Sequence, residues 1–274
     1  MFILNGSKDK HMAKKPTIGI CRVCGQKKTL TEEHIIPRAA GGGDKIKLYS
    51  GDELLKTLSD DEKPYGKIKQ NGHAEYTLCK TCNNHSGSSY DKDFSDFYNT
   101  ITLNILKDIT IPSDVSREDY LEGKRLEVEL RGIKPLNIAK RILVSFCSVE
   151  HPGLTDRKPE IRKAIQDKEY RPKTDNFSVY LSLHVGSPAY YGTVAALVNV
   201  NGNYTPIAYA GIEADVLGFH LADHDEHLKG GGLINCLDIT EWLTRYKYNE
   251  IANVRLELMF SKSLMIRFPI PTDK

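Results

Sequence analysis

The chain has 274 residues, 40% of them hydrophobic and 27% charged, with a formal net charge of +2. That balance suits a soluble globular protein of one large or two ordinary domains and excludes a low-complexity chain. No run of ~18 apolar residues is present to span a membrane, and the small net charge confines any nucleic-acid contact to a local patch, because such domains are often strongly basic.

In chain order, residues 1–11 read as a leader. Their apolar stretch, Phe2-Ile3-Leu4, is far shorter than the ~7–15 residues of a signal peptide, and His11-Met12 looks like a junction ahead of a natural start at Met12. Residues 17–25 read as a short strand running into a Cys-x-x-Cys turn, and 31–37 as a strand stopped by Pro37, which cannot donate to a ladder. Residues 44–75 are polar, with a Pro-Tyr-Gly turn at 64–66, and read as an insertion carrying a short helix near 51–59. A strand at 74–78 enters the second Cys-x-x-Cys. From Asn83 the pattern turns helical, with Phe94, Phe97, Tyr98 and Ile101 at three- and four-residue spacings, until Pro112. The stretch 110–118 is the expected domain boundary.

Beyond it, Ile138, Ile142, Leu143, Phe146 and Cys147 mark an amphipathic helix, and Pro159 opens a short one. Strands are expected at 177–185, 190–200, 204–211, 215–221, 253–260 and 263–269, with Asn201-Gly202-Asn203 as a hairpin turn. A helix near 238–248 carries Trp242. His220, Asp223, His224 and His227 read as a charged loop, with second-metal binding the alternative.

Six cysteines do not make a disulfide scaffold. Cys147 and Cys236 sit in apolar contexts and read as core. The other four form two pairs, Cys21-Arg-Val-Cys24 and Cys79-Lys-Thr-Cys82, with the spacing of a tetrahedral zinc site. Paired thiols without a secretory signal point to a reducing compartment, hence the cytoplasm. Between the pairs lie Glu33-His34-Ile35-Ile36-Pro37 and Gly41-Gly42-Gly43, and Asn83-Asn84 follow Cys82. An imidazole can take a proton from water at neutral pH, and a hard cation on carboxylate and amide oxygens can stabilise a phosphorane. Side chains of adjacent strand residues point to opposite faces, so Glu33 and His34 reach one site across a bulge, at a strand end, or by ligation from one face plus backbone.

At Cys21-x-x-Cys24-Gly25, Glu33-His34-Ile-Ile-Pro37, Gly41-Gly42 and Cys79-x-x-Cys82-Asn83-Asn84 the chain resembles the zinc-knuckle branch of the HNH endonucleases, over roughly residues 19–95. The resemblance implies an α+β architecture: a ββα-metal zinc domain at 12–110, interrupted by the insertion at 44–75, then a strand-rich α+β domain at 111–274 for recognition, sensing or dimerisation. It implies Zn²⁺ on Cys21, Cys24, Cys79 and Cys82, His34 as general base, and Glu33 and Asn83 as ligands of a catalytic Mg²⁺ or Mn²⁺. Glu stands at 33 where the family usually has Asp. The motif's middle Asn has no match, although Asn71 and His73 lie near its place.

Plainer roles stand beside these. The cysteines could only staple the fold, His34 could be a core histidine, and Asn83 suits a helix N-cap. Asp91 reads as a solvated helix residue, and His85 as solvent-facing or a supplementary ligand. Arg38 and Lys45 can contact phosphate or face solvent. The expected function is a divalent-metal-dependent endonuclease acting on DNA, of the restriction or defence kind, without separating DNA from RNA or excluding a homodimer. The alternatives are a non-catalytic zinc-stabilised nucleic-acid-binding protein, or a nuclease switched by a small ligand of the C-terminal part.

Overall fold

A computed structural model describes residues 16–48, 65–105, 109–150, 152–184, 190–200, 203–214, 216–223 and 235–261. It is a mixed assembly of sheets and helices, in keeping with the expected α+β class. Strands β1 (Ile18–Ile20), β2 (Lys27–His34) and β5 (Ala74–Cys79) form a three-stranded antiparallel sheet in the order β1-β2-β5. A two-stranded pair, β3 (Ile46–Leu48) with β4 (Lys67–Lys69), closes the base of the insertion, where no strand was expected. The helix expected near 51–59 lies outside the described residues.

The helical stretch begins at Lys80, earlier than the sequence pattern suggests, as α1 (Lys80–Ser86). It passes through a π turn at Gly87–Asp91, α2 (Lys92–Asn99) and a second π stretch at Thr100–Ile105. After α3 (Arg117–Leu121) comes β6 (Arg125–Ile133), which the sequence reading missed. Leu126, Val128 and Leu130 do alternate there with charged residues. Only Leu130 is fully buried, so the period-2 signal is weak.

Helix α4 (Pro135–Val149) is buried nearly all round, as a helix does when it forms the middle of a core. Pro135 at its first turn costs no hydrogen bond. Short helices α5 (Leu154–Arg157) and α6 (Pro159–Gln166) follow, the latter where Pro159 predicted it. Strands β7 (Phe177–His184), β8 (Tyr190–Val200), β9 (Asn203–Ala214), β10 (Leu217–Asp223) and β12 (Ala252–Ser261) join β6 in a seven-stranded sheet ordered β6-β12-β7-β10-β9-β8, with β11 (Cys236–Asp238) paired to β7. The helix expected at 238–248 shrinks to α7 (Glu241–Thr244), because Asp238 is held in β11 opposite Tyr180 and cannot open a helix. His220 belongs to β10 and is buried, which corrects its placement in a charged loop. His224, His227, the 201–202 turn and the strand expected at 263–269 lie outside the described residues. Among the described residues no helix is long and apolar enough to cross a membrane.

The stretches on either side of 110–118 share one continuous core. Phe94 packs on Phe219 with ring centroids 5.5 Å apart, Phe97 meets Trp242 edge-on at 5.8 Å, and the Tyr98 hydroxyl donates to the Ala214 carbonyl at 2.8 Å. The far end of α4 ties down the first Cys-x-x-Cys turn: Arg22 Nη1 donates to the carbonyls of Ser148 (2.9 Å) and Glu150 (2.7 Å). The first Cys-x-x-Cys turn therefore rests on a helix outside the stretch that carries it.

Candidate metal centre and the adjoining cleft

The first Cys-x-x-Cys turn is shaped by backbone bonds from Cys21 N to the Gln26 carbonyl (2.9 Å) and from Gly25 N to the Cys21 carbonyl (2.8 Å). Gly25 sits at φ +72, which a side chain would strain. The second turn opens α1 at the end of β5. Antiparallel pairing of Leu30 with Cys79 brings the two turns together. The Sγ atoms of Cys21, Cys24, Cys79 and Cys82 all lie within 4.8 Å of one another. Thiolates on a tetrahedral zinc stand about 3.8 Å apart for Zn–S bonds of ~2.3 Å, so the cluster is compatible with zinc. Cys21 Sγ accepts the Cys79 amide at 3.3 Å. The Cys82 thiol, with backbone amides at Cys24, Cys79 and Val23, holds Cys21 down at about 4, while the same bond to Cys21, together with burial, pushes Cys82 up. A cation would take the place of the shared proton.

Next to this cluster lies a cleft of about 520 Å³ lined by Glu33, His34, Arg38, Asn83, Asp91 and Arg141, among others. The pairing of β2 with β5 shifts register between Thr31 and Glu32, and β2 ends at His34. The bulge and the strand end named from sequence geometry are thus both present. Glu33 turns inward and His34 stays half-buried at the cleft.

His34 Nε2 lies 2.9 Å from the Asn71 carbonyl and 3.2 Å from Arg38 Nε. One nitrogen cannot donate to the first and accept from the second. A carbonyl only accepts, and its contact is the shorter, so Nε2 carries the proton and Nδ1 keeps a lone pair. The Asn71 carbonyl is positioned by glycines. A Cβ on Gly72, at φ +71, would fall 1.8 Å from the Gly42 carbonyl, and one on Gly42 would fall 1.7 Å from the Ile36 carbonyl. The loop of Gly41–Gly43 and the Asn71-Gly72 turn can touch only without side chains. The residue that contacts His34 is thus Asn71, one of the two noted near the place of the motif's middle Asn, and it does so through its main-chain carbonyl.

Asn83 lies inside α1, whose N-cap is Cys79, so the N-cap reading is corrected. Its Nδ2 donates to Thr31 Oγ1 (3.0 Å) and to the Glu32 carbonyl (3.1 Å). With both amide hydrogens committed, Oδ1 is the atom left to offer a ligand. Lys45 does not line the cleft, nor does His85, whose ring meets Tyr90 edge-on at 6.0 Å.

Sequence reasoning missed Arg141. It is 1% exposed, and its guanidinium reaches Glu33 Oε1 (2.9 Å), Asp91 Oδ1 (2.5 Å), Ser145 Oγ (2.8 Å) and the His34 carbonyl (2.9 Å). The π turn at Gly87–Asp91 carries Asp91 to this pair, correcting its reading as an ordinary solvated helix residue. Burial pushes the Glu33 carboxyl up to about 7; Arg141 opposes this and Asp91 adds to it. The available signal was the Lys140-Arg141 pair amid the apolar run of α4.

Arg141→Met should destabilise the chain by ~3–5 kcal/mol, because the buried Glu33 and the half-exposed Asp91 lose their counter-charge. Adding Glu33→Gln should recover part of that loss. Denaturant unfolding of the four proteins of this cycle measures it. A loss below ~1 kcal/mol, or strict additivity, would remove Arg141 as the keystone of the cleft.

No family model, no curated protein and no solved structure matches the chain.

Proposed function

We propose that the chain is a divalent-metal-dependent endonuclease of the HNH kind, hydrolysing phosphodiester bonds of DNA, with residues 111–274 choosing or sensing the target as in a restriction or defence nuclease. The observation that carries the reading is the meeting of His34, Asn83 and Arg38 in one cleft beside the four-cysteine cluster.

In this reading zinc holds the four cysteines and keeps β2 against α1. The Asn71 carbonyl fixes the His34 ring, so that Nδ1 takes the proton of an attacking water. Arg38 leaves His34 and pairs with a phosphate oxygen. Asn83 Oδ1 and the carboxylate oxygens of Glu33 and Asp91 that do not face Arg141 are hard donors, as Mg²⁺ or Mn²⁺ prefers. Such an ion would supply charge to stabilise the phosphorane and the departing oxygen.

One feature favours a competing reading, a zinc-stabilised nucleic-acid-binding protein without cleavage. Glu33 and Asp91 each commit an oxygen to Arg141, and among the described residues no group of three ligating side chains other than asparagine forms in the cleft. The two readings part in one assay: the full chain with matched modified and unmodified plasmids, and with RNA, in Mg²⁺ or Mn²⁺. Nicked or linear plasmid that disappears with a chelator is expected. Retention of DNA without cleavage of any substrate would give the binding reading the field.

A further inference from the structure

Strands β7, β10 and β9 run side by side in the seven-stranded sheet. Their register sets Ser182 opposite Gly218 and Gly218 opposite Glu213. His184 and His220 lie two residues along β7 and β10, and so on the same face. All three potential ligands are buried: His184 and His220 at 0% exposure and Glu213 at 1%. One ligand atom from each lies within 4.8 Å of the others, with His184 Nε2 3.6 Å from Glu213 Oε1. Ser182 Oγ sits 2.8 Å from both imidazole Nε2 atoms.

We infer that His184, Glu213 and His220 bind a transition-metal ion, zinc by preference, as a closed structural site within the sheet. Two imidazoles and a carboxylate are a zinc donor set, and donors on a tetrahedral zinc lie about 3.3 Å apart for bonds of ~2.0–2.1 Å. Ser182 Oγ lies between the imidazoles, where it can serve as a fourth donor. Gly218 keeps the space open. A Cβ there would fall 2.3 Å from Ser182 Oγ and 2.4 Å from His184 Nε2, so any side chain would occupy the place of the ion. The competing arrangement is a plain hydrogen-bonded His-Ser-His chain. In that chain the Ser182 hydroxyl donates to one Nε2 and accepts from the other, with Glu213 beside His184. This site is independent of the nuclease reading, since it lies in a different sheet and shares no residue with the cleft.

The test is a zinc count on the full chain carrying Asn83→Ala, which removes one candidate ligand of the cleft. The protein is exposed to zinc and then freed of loose metal by gel filtration. Two zinc ions per chain are expected, falling to one in Glu213→Gln and in His184→Gln. Zinc-edge X-ray absorption of the Asn83→Ala parent should show mixed sulfur and nitrogen/oxygen shells, which keeps the question open to test even if those further variants fail to fold. One zinc per chain, or a shell of sulfur alone, would overturn the site. Two ions retained in both variants would place the second ion elsewhere and overturn it as well.

Discussion

Stripping the zinc proposed for the four-cysteine cluster, with a chelator under reducing conditions or by Cys79→Ser, is expected to unravel the β1-β2-β5 end of the molecule and abolish the cleft. Hydrogen bonds from Arg22 to the end of α4 and from Arg162 to the Val23 carbonyl hold its rim, but its strands contribute little of their own. β1 is three residues long, and its Ile18 and Ile20 are 64% and 52% exposed. The cysteines supply buried positions in the same cluster as Val23, Leu30 and Leu78. Structural zinc contributes an apparent ~10–16 kcal/mol in small zinc-finger peptides, and even part of that would dominate a three-stranded sheet. α4 and the large sheet should stay folded, because most of the shared core lies away from the thiols. Hydrogen exchange checks both halves of this expectation. Amides of β5 should lose protection on chelation while those of β7 keep theirs. Unchanged β5 protection in zinc-free protein, or in folded Cys79→Ser, would show that the cysteines are not a structural metal site.

His34→Ala is expected to lower cleavage by ~10²–10⁴-fold, the usual cost of losing a general base, with little change in stability. The second half of that statement follows from the structure. His34 is half-buried at the end of β2, and the surroundings of its ring are the Asn71 carbonyl and Arg38. The tie to α4 runs through its main-chain carbonyl, which Arg141 holds and which alanine retains. Single-turnover cleavage together with the unfolding midpoint separates chemistry from folding. Near-normal turnover would remove His34 as the base. A collapsed midpoint would make it a structural histidine instead. Arg38→Ala should behave differently, weakening substrate binding more than turnover, because its proposed partner is a phosphate oxygen.

Local chemistry was legible without a structure. Two Cys-x-x-Cys pairs and a Gly at position 25 are demands of a single tight turn, and the strands β7, β8, β9, β10 and β12 follow from branched and aromatic residues over short windows. The expectation of a bulge or strand end near Glu33 followed from the two-residue period, and β2 has both. β6 and the shortened α7 were misread because what decides them is pairing: β6 finds its partner in β12, and β11 holds Asp238 against β7.

The cleft was only half legible. His34 and Asn83 could be named through the motif resemblance, and Arg38 from its residue type. The groups that position the cleft could not. Arg141 is 108 residues from Glu33 in sequence, and the contact with His34 is a main-chain carbonyl. His184, Glu213 and His220 come from three strands whose register is a property of the folded sheet. The amino-acid sequence by itself determined which side chains can ligate, donate and accept, because those are properties of single residues and of one turn of chain. Only the tertiary structure decided which of them meet. A buried charge or a ligand acquires its partner when the apolar core closes, and that closure joins segments a hundred residues apart with no local signal of the match.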